Sequence, residues 1–291
     1  MPTSRIAPTW RCGFGEAGKR KCAEDAAHHL AHLSAALRTD SVPLLDDYLV
    51  WIRTLLGSLG VPERELFTQL NLLGAHLSRQ MPPALADRAV GMLAQSADKA
   101  RRRSDLPESW VTGPGLEVAN EFLESLLSGD RREAAALVQR EMAAGRSIQS
   151  LYLDVFQPSQ REIGRRWQLN QVSVAQEHFC TAATQLIMSG LYERIFATPR
   201  TGATVLATCI GGDLHEIGLR MVADLFELDG WDSHFLGANT PAAAIVATIG
   251  QCSADLVAIS VTLTRNLDET ARLIEAIRAE HGDLPVLVGG Y

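Results

Sequence analysis

The chain has 291 residues, a formal net charge of −7, 46% hydrophobic residues and 21% charged ones. That length can hold two or three separate cores, the acidic balance argues against direct docking on a nucleic-acid backbone, and no run approaches the roughly 20 apolar residues of a membrane span. Met1 to Lys21 lacks the apolar core of a secretory signal, and the cysteines Cys12, Cys22, Cys180, Cys209 and Cys252, odd in number and without a Cys-x-x-Cys pair, point to a reducing cytoplasm and to neither a zinc site nor a disulfide framework.

Residues 1–25, mixed in Gly, Arg and Pro, read as a disordered tail. Apolar periodicity then predicts helices over Ala26 to Leu37, Leu44 to Leu59, Glu63 to Leu77 and Ala84 to Arg103. Their breaks fall at Pro43, at Gly60-Val61-Pro62 and at Met81-Pro82-Pro83. The last helix ends in the basic run Lys99 to Arg103, cations where the helix dipole favours them. An all-helical module over 26–103 is of a length compatible with a globin-like fold. Ser104 to Pro114, with Pro107, Gly113 and Pro114, reads as a linker.

From 115 to 198 the pattern is again helical: Val118, Phe122 and Leu126, then Ala135 to Met142, Ile148 to Phe156 and Glu177 to Phe196. The breaks at Gly129-Asp130, Gly145 and Asn170 have the length of bundle loops, which predicts a four-helix bundle. By itself Trp167 reads as a core residue at a helix end and Glu177-His178 as a helix start. Cys180, three residues after Glu177, reads as packing.

The last segment, 203–291, alternates strand and helix. Thr204 to Thr208, Ser233 to Leu236, Asp255 to Val261 and Val286 to Val288 read as strands; Glu216 to Leu228, Pro241 to Gln251 and Leu267 to His281 read as helices. Such alternation predicts a flavodoxin-like, doubly wound parallel sheet, so the fold class is α plus α/β. The sequence given stops after the fourth strand, where that fold carries a fifth, and the sheet reads as lacking its last strand.

Asp213 and His215 fall on the loop between the first strand and its helix. In an open parallel sheet such loops lie at the carboxyl ends of the strands, where ligands bind. An imidazole with a carboxylate two residues away can act as a metal ligand whose tautomer the carboxylate fixes. Alone, Asp-x-His-x-x-Gly also fits a solvated loop histidine. No nucleophile–base pair and no Walker-type phosphate loop stand out, since Gly211-Gly212 lacks the following Lys-Ser or Lys-Thr.

Three elements in order, Asp213-Leu-His215-Glu-Ile-Gly218, Ser260-Val-Thr262 and Gly289-Gly290, resemble the cobalamin-binding fold of methionine synthase, the methylmalonyl-type mutases and the B12 photoreceptors. The family pattern is Asp-x-His-x-x-Gly, Ser-x-Leu, Gly-Gly, and Thr262 departs from its leucine. The resemblance implies that His215 is the lower axial ligand of cobalt, displacing the cofactor's own base, and that Asp213 holds its other ring nitrogen. It also implies that Gly218 lets loop and helix pack closely, that the displaced tail runs beside Ser260 and Thr262, and that Gly289 and Gly290 leave it room.

Trp167, nine residues and then Glu177-His178 resemble the adenosylcobalamin-dependent light sensors, in which these residues surround the upper ligand beneath the helical bundle. In well-known members a histidine that directly follows the tryptophan ligates cobalt after photolysis. Here that position is Gln168, so either His178 takes that role or no bis-histidine adduct forms.

The resemblance implies a cobalamin, adenosylcobalamin foremost and methylcobalamin or hydroxocobalamin otherwise. It further implies a cytoplasmic photoreceptor in signal transduction or transcription regulation, without catalysis by protein residues. No winged helix-turn-helix pattern precedes the bundle, so the partner would be a protein effector or a further C-terminal effector domain, with homo-oligomerisation open. The other reading is a corrinoid carrier for a methyltransferase system. The helical module also resembles that of photocobilins, which add a bilin; His28, His29, His32 and His76 could meet a tetrapyrrole, although each also reads as a surface or core histidine.

Overall fold

The computed structural model describes residues 16–103 and 106–290. The first helices are α1 (Glu16–Arg38), α2 (Val42–Ser58), α3 (Glu63–Gln80) and α4 (Pro83–Arg102). Helix α1 corrects the expected tail: 16–25 is helical, while 1–15, with Cys12, lie outside the described residues. This turn-rich-looking segment has no apolar stripe. Within it Lys21 lies 3.4 Å from Glu24 and 3.7 Å from Asp25, pairs that add a little to helix stability.

Next come α5 (Leu116–Leu127), α6 (Arg131–Ala143), α7 (Ile148–Ser150), a π-helical segment Leu151–Phe156, α8 (Gln157–Gln168), α9 (Val174–Ser189) and the short α10 (Tyr192–Ile195). The α/β part runs β1 (Thr204–Cys209), α11 (Ile217–Leu228), β2 (Asp232–Gly237), α12 (Ala242–Cys252), β3 (Leu256–Ser260), a 3-10 turn Thr264–Asn266, α13 (Leu267–His281) and β4 (Val286–Gly289). Its sheet is four-stranded in the order β2-β1-β3-β4. Every pairing is parallel, as the alternation of elements predicts.

The described chain divides into two compact units. One holds the residues up to Pro107 together with Arg165–Val172; the other holds Glu108–Gly164 and the residues from Ser173 onward. The first has its own core, with Leu33, Leu45, Leu49, Leu66, Leu70 and Leu93 among its buried residues. Across that core Lys99 pairs with buried Asp46 at 2.6 Å and Arg103 with Asp47 at 2.9 Å. The basic end of α4 therefore ties this helix to α2, beyond the dipole interaction expected of it.

In the second unit the bundle core gathers Phe122, Leu126, Leu137, Val138, Tyr152, Phe156, Cys180 and Met188. Part of the expected linker belongs to this unit: Val111 is buried in the bundle core, and the Trp110 amide donates to Glu162 at 3.1 Å. Helix α11 packs on both sides. Ile217, Met221 and Leu228 join the bundle core, whereas Leu219, Ala223 and Phe226 pack with Val205, Ala207 and Cys209 of β1. Helix α11 is thus apolar on two faces, one toward the bundle core and one toward β1. At the far end of the sheet, among the described residues, β4 forms an edge with Leu287 and Val288 exposed.

Candidate functional site

β1 is buried along its length and delivers the chain to the loop 210–216 at its carboxyl end. There the Asp213 carboxylate is fully buried and collects three donors. The His215 ring reaches Oδ1 at 2.8 Å, the His215 amide donates to Oδ1 at 3.1 Å, and the Thr262 amide donates to Oδ2 at 2.7 Å. Burial alone would raise the carboxyl pKa, but these hydrogen bonds outweigh it and hold Asp213 down at about 2. An ionised carboxylate only accepts, so the proton between the two residues sits on His215 Nδ1. In the neutral imidazole this leaves the lone pair on Nε2, on a side chain that is 61% exposed.

The same contact raises the His215 pKa; burial opposes it, and the Asp213 charge and then Glu177 add to the rise. Beneath the loop, burial with the charges of Asp213 and Glu216 pushes the Cys209 thiol up to about 12. It is a neutral packing group, and so is Cys180, which burial and then Glu177 push up to about 11.

Thr262 enters through its backbone amide, which any residue but proline could supply, so a threonine serves there as well as the leucine of the family pattern. Ser260 closes β3 opposite Cys209 and is half-buried. At Gly290 an added Cβ would lie 1.7 Å from the Val261 carbonyl oxygen, so only glycine fits that backbone approach. Gly218 and Gly289 differ: an added Cβ there meets nothing within 4 Å. The close packing of loop and helix expected at Gly218 is therefore absent, and both glycines border open space.

On the bundle side, Ser173 caps α9 in a full capping box with Gln176, which fixes the first turn and with it Glu177. The Glu177 carboxylate accepts from Thr181 at 3.0 Å and meets the His178 ring at 2.5 Å. His178 itself is 75% exposed. Trp167, at the end of α8, falls in the other compact unit, with the helical module. The structure thus gathers Glu177 with Asp213 and His215 in one unit and places Trp167 with α2.

Sequence reasoning missed Glu216 and Gln185. Gln185 on α9 donates to Glu216 Oε1 at 2.7 Å, and Glu216 Oε2 accepts the Ala238 amide at 2.9 Å, joining the bundle, the His215 loop and the end of β2. Glu216 directly follows the histidine, but no spacing rule marks it. Asn239 was missed as well; its side chain accepts the Gly212 amide at 2.9 Å and steadies the loop. Among the described residues no group of three or more His, Cys, Asp or Glu could hold a metal ion.

A family model described as a B12 binding domain matches residues 203–291, and a second B12 binding domain model matches residues 118–192. The chain is a cobalamin-binding protein. Among curated relatives of this cobalamin-binding chain, the HTH-type transcriptional repressor CarA of Myxococcus xanthus is 34% identical over 133 residues, covering 46% of this chain and 44% of that protein. Dimethylamine corrinoid protein 2 of Methanosarcina mazei is 29% identical over 96 residues, covering 32% of this chain and 44% of that protein. The chain thus spans less than half the length of these two relatives. The solved monomethylamine corrinoid protein of Methanosarcina barkeri shares the fold at a TM-score of 0.53 and 16% identity, over 60% of this chain and 85% of that one.

The residues present fit a cobalamin. His215 presents Nε2 on a ring that Asp213 orients through Nδ1, and the two open glycines and the close approach at Gly290 lie in the two glycine elements of the motif. No helix among the described residues is long and apolar enough to cross a membrane.

Proposed function

We propose that the chain is a light-responsive cobalamin sensor in which His215 holds cobalt from below and Trp167, Glu177 and His178 surround the upper ligand. The observation that carries the reading is the buried Asp213, charged and bonded to both His215 Nδ1 and the Thr262 amide. In that pair Asp213 keeps the proton on Nδ1, orients the ring and makes Nε2 a stronger donor. Ser260, Thr262, Gly218, Gly289 and Gly290 would border the displaced nucleotide tail. Adenosylcobalamin, when bound, supplies a cobalt–carbon bond that green light breaks. Glu177, fixed by the capping box and by Thr181, would meet the polar atoms of the upper ligand. His178 is turned to Glu177, which favours a role in holding that carboxylate.

The sensor reading draws on the Trp167, Glu177, His178 spacing and on a relative named as a transcriptional repressor. The output would go to a protein effector or to a further domain, with no direct nucleic-acid contact and no catalytic residue from this chain. Similarity to the dimethylamine corrinoid protein favours a second reading, a corrinoid carrier serving a methyltransferase. Protein reconstituted in the dark with adenosylcobalamin separates the two by its absorption before and after green light, with His215→Ala as control. The sensor requires a base-off spectrum that converts to a stable protein-bound photoproduct and is altered in the control. Binding without such a product would assign the carrier role, and no binding would refute both.

A further inference from the structure

Trp167 does not stand alone at the end of α8. The ring of Trp51, in the middle of α2, lies 6.3 Å from it, centroid to centroid, at an interplanar angle of 33°. Trp51 is 41% exposed, unusual for so large an apolar side chain in an ordered helix. The next residue, Gln168, is buried, and both its polar ends are committed to the same helix. Its side-chain amide donates to the Trp51 carbonyl at 3.0 Å, and its backbone carbonyl accepts the Ser58 hydroxyl at 2.7 Å. Asn170, in left-handed conformation, adds a longer contact to the Ser58 carbonyl at 3.5 Å. The turn that presents Trp167 is therefore fastened to α2 by side chain and backbone alike, and all of these contacts lie within one compact unit.

A core glutamine satisfied by chance would have no reason to anchor on the backbone of the residue whose ring faces its neighbour. We propose that Trp51 is a positioning residue for Trp167, and that Gln168 couples the two so that α2 of the helical module receives any displacement of Trp167. Position 168 then serves as a mechanical joint and not as a cobalt ligand, because its amide is already engaged. The inference rests on the sensor reading, in which the upper-ligand contacts of Trp167 exist in only one of two states. A ligand that differs between states biases whatever is rigidly attached to the residue it touches.

Hydrogen–deuterium exchange of the full chain loaded with adenosylcobalamin, in the dark and after green light, tests this by following the peptides over 42–58. Green light is expected to speed exchange at 51–58 by about fivefold or more, the low end of ordinary allosteric coupling. Trp51→Ala is expected to lose that light-dependent difference, with Trp51→Phe intermediate. Gln168→Ala, which leaves both rings in place, provides a second route should Trp51→Ala fold poorly, and it too should uncouple α2. A wild-type chain that converts spectrally while 51–58 exchanges alike in dark and light overturns the inference and leaves the sensor reading standing. So does a Trp51→Ala chain that keeps the full difference. A wild-type chain with no photoproduct removes both.

Discussion

Asp213 shows how much one buried carboxylate can organise. Because its three donors come from residues 215 and 262, replacing it by asparagine leaves the shape but puts an amide where the charge stood. Asp213→Asn is expected to weaken cobalamin binding about 10- to 100-fold, the usual effect of losing a partner behind a metal-bound histidine. Absorption titration against the wild type would measure it, and an unchanged affinity would remove Asp213 from the ligand set. The glycines give a sharper contrast. Gly218 lies in the first turn of α11 with nothing within 4 Å of an added Cβ, so Gly218→Ala should stabilise the ligand-free protein by about 0.5–1 kcal/mol while lowering cobalamin affinity. Gly290→Ala, which would drive a methyl into the Val261 carbonyl, should destabilise the ligand-free protein itself. Denaturant unfolding of both variants without cobalamin decides the point; equal stabilities would mean that the two glycines do not differ in role.

Between elements, the attachment of bundle to sheet rests on buried polar contacts as well as on the apolar stripe of α11. The π-helical segment turns Tyr152 towards α11, where its hydroxyl donates to buried Asp224 at 2.6 Å. Burial and the neighbouring Asp224 hold the Tyr152 phenol well above its ordinary value, and burial also raises Asp224 despite its hydrogen bonds. A raised folded-state pKa means that the proton is bound more tightly in the folded chain. The stability each group contributes is full below its unfolded pKa and falls as pH rises through the folded one. For Tyr152 the loss begins above its ordinary value of 10.0. Tyr152→Phe should therefore cost about 1–3 kcal/mol near neutrality, by removing one donor from a buried carboxylate, and should flatten the alkaline loss of stability. Thermal unfolding across pH for both chains would show whether the alkaline limbs converge or stay parallel; parallel limbs would rule out this phenol as their source. The Gln185–Glu216–Ala238 chain is the second tie, and Glu216→Ala is expected to free the Ala238 amide for faster hydrogen exchange and to lower cobalamin affinity. Retained protection at 238 would show that the tie is dispensable.

For the whole molecule, the strand–helix alternation and the buried β1 and β3 made the parallel sheet legible in the sequence, since period and length together distinguish these elements. The helical module and the bundle were legible as helices for the same reason. What escaped was partnership. Nothing in the sequence around Ile217, Met221 and Leu228 says that these residues face a bundle and not a sheet, and nothing in the run 165–172 says that it packs with residues far upstream. The Asp213–His215 geometry was legible because both groups share one short loop. Glu216 and Gln185 were not, because their meeting depends on two elements that are distant in sequence.

The segment 165–172 carries one more implication, for the order in which the protein is made. A ribosome finishes α1 to α4 long before it reaches the turn that covers Trp51, and the whole of 108–164 is synthesised in between. During that interval the nascent helical module lacks the turn that packs on the Trp51 ring and bonds the Trp51 carbonyl and the Ser58 hydroxyl. Its completion is a late, long-range closure of the kind that limits folding rates and recruits chaperones. For the same reason, a chain cut after residue 107 would yield a module short of one of its own parts.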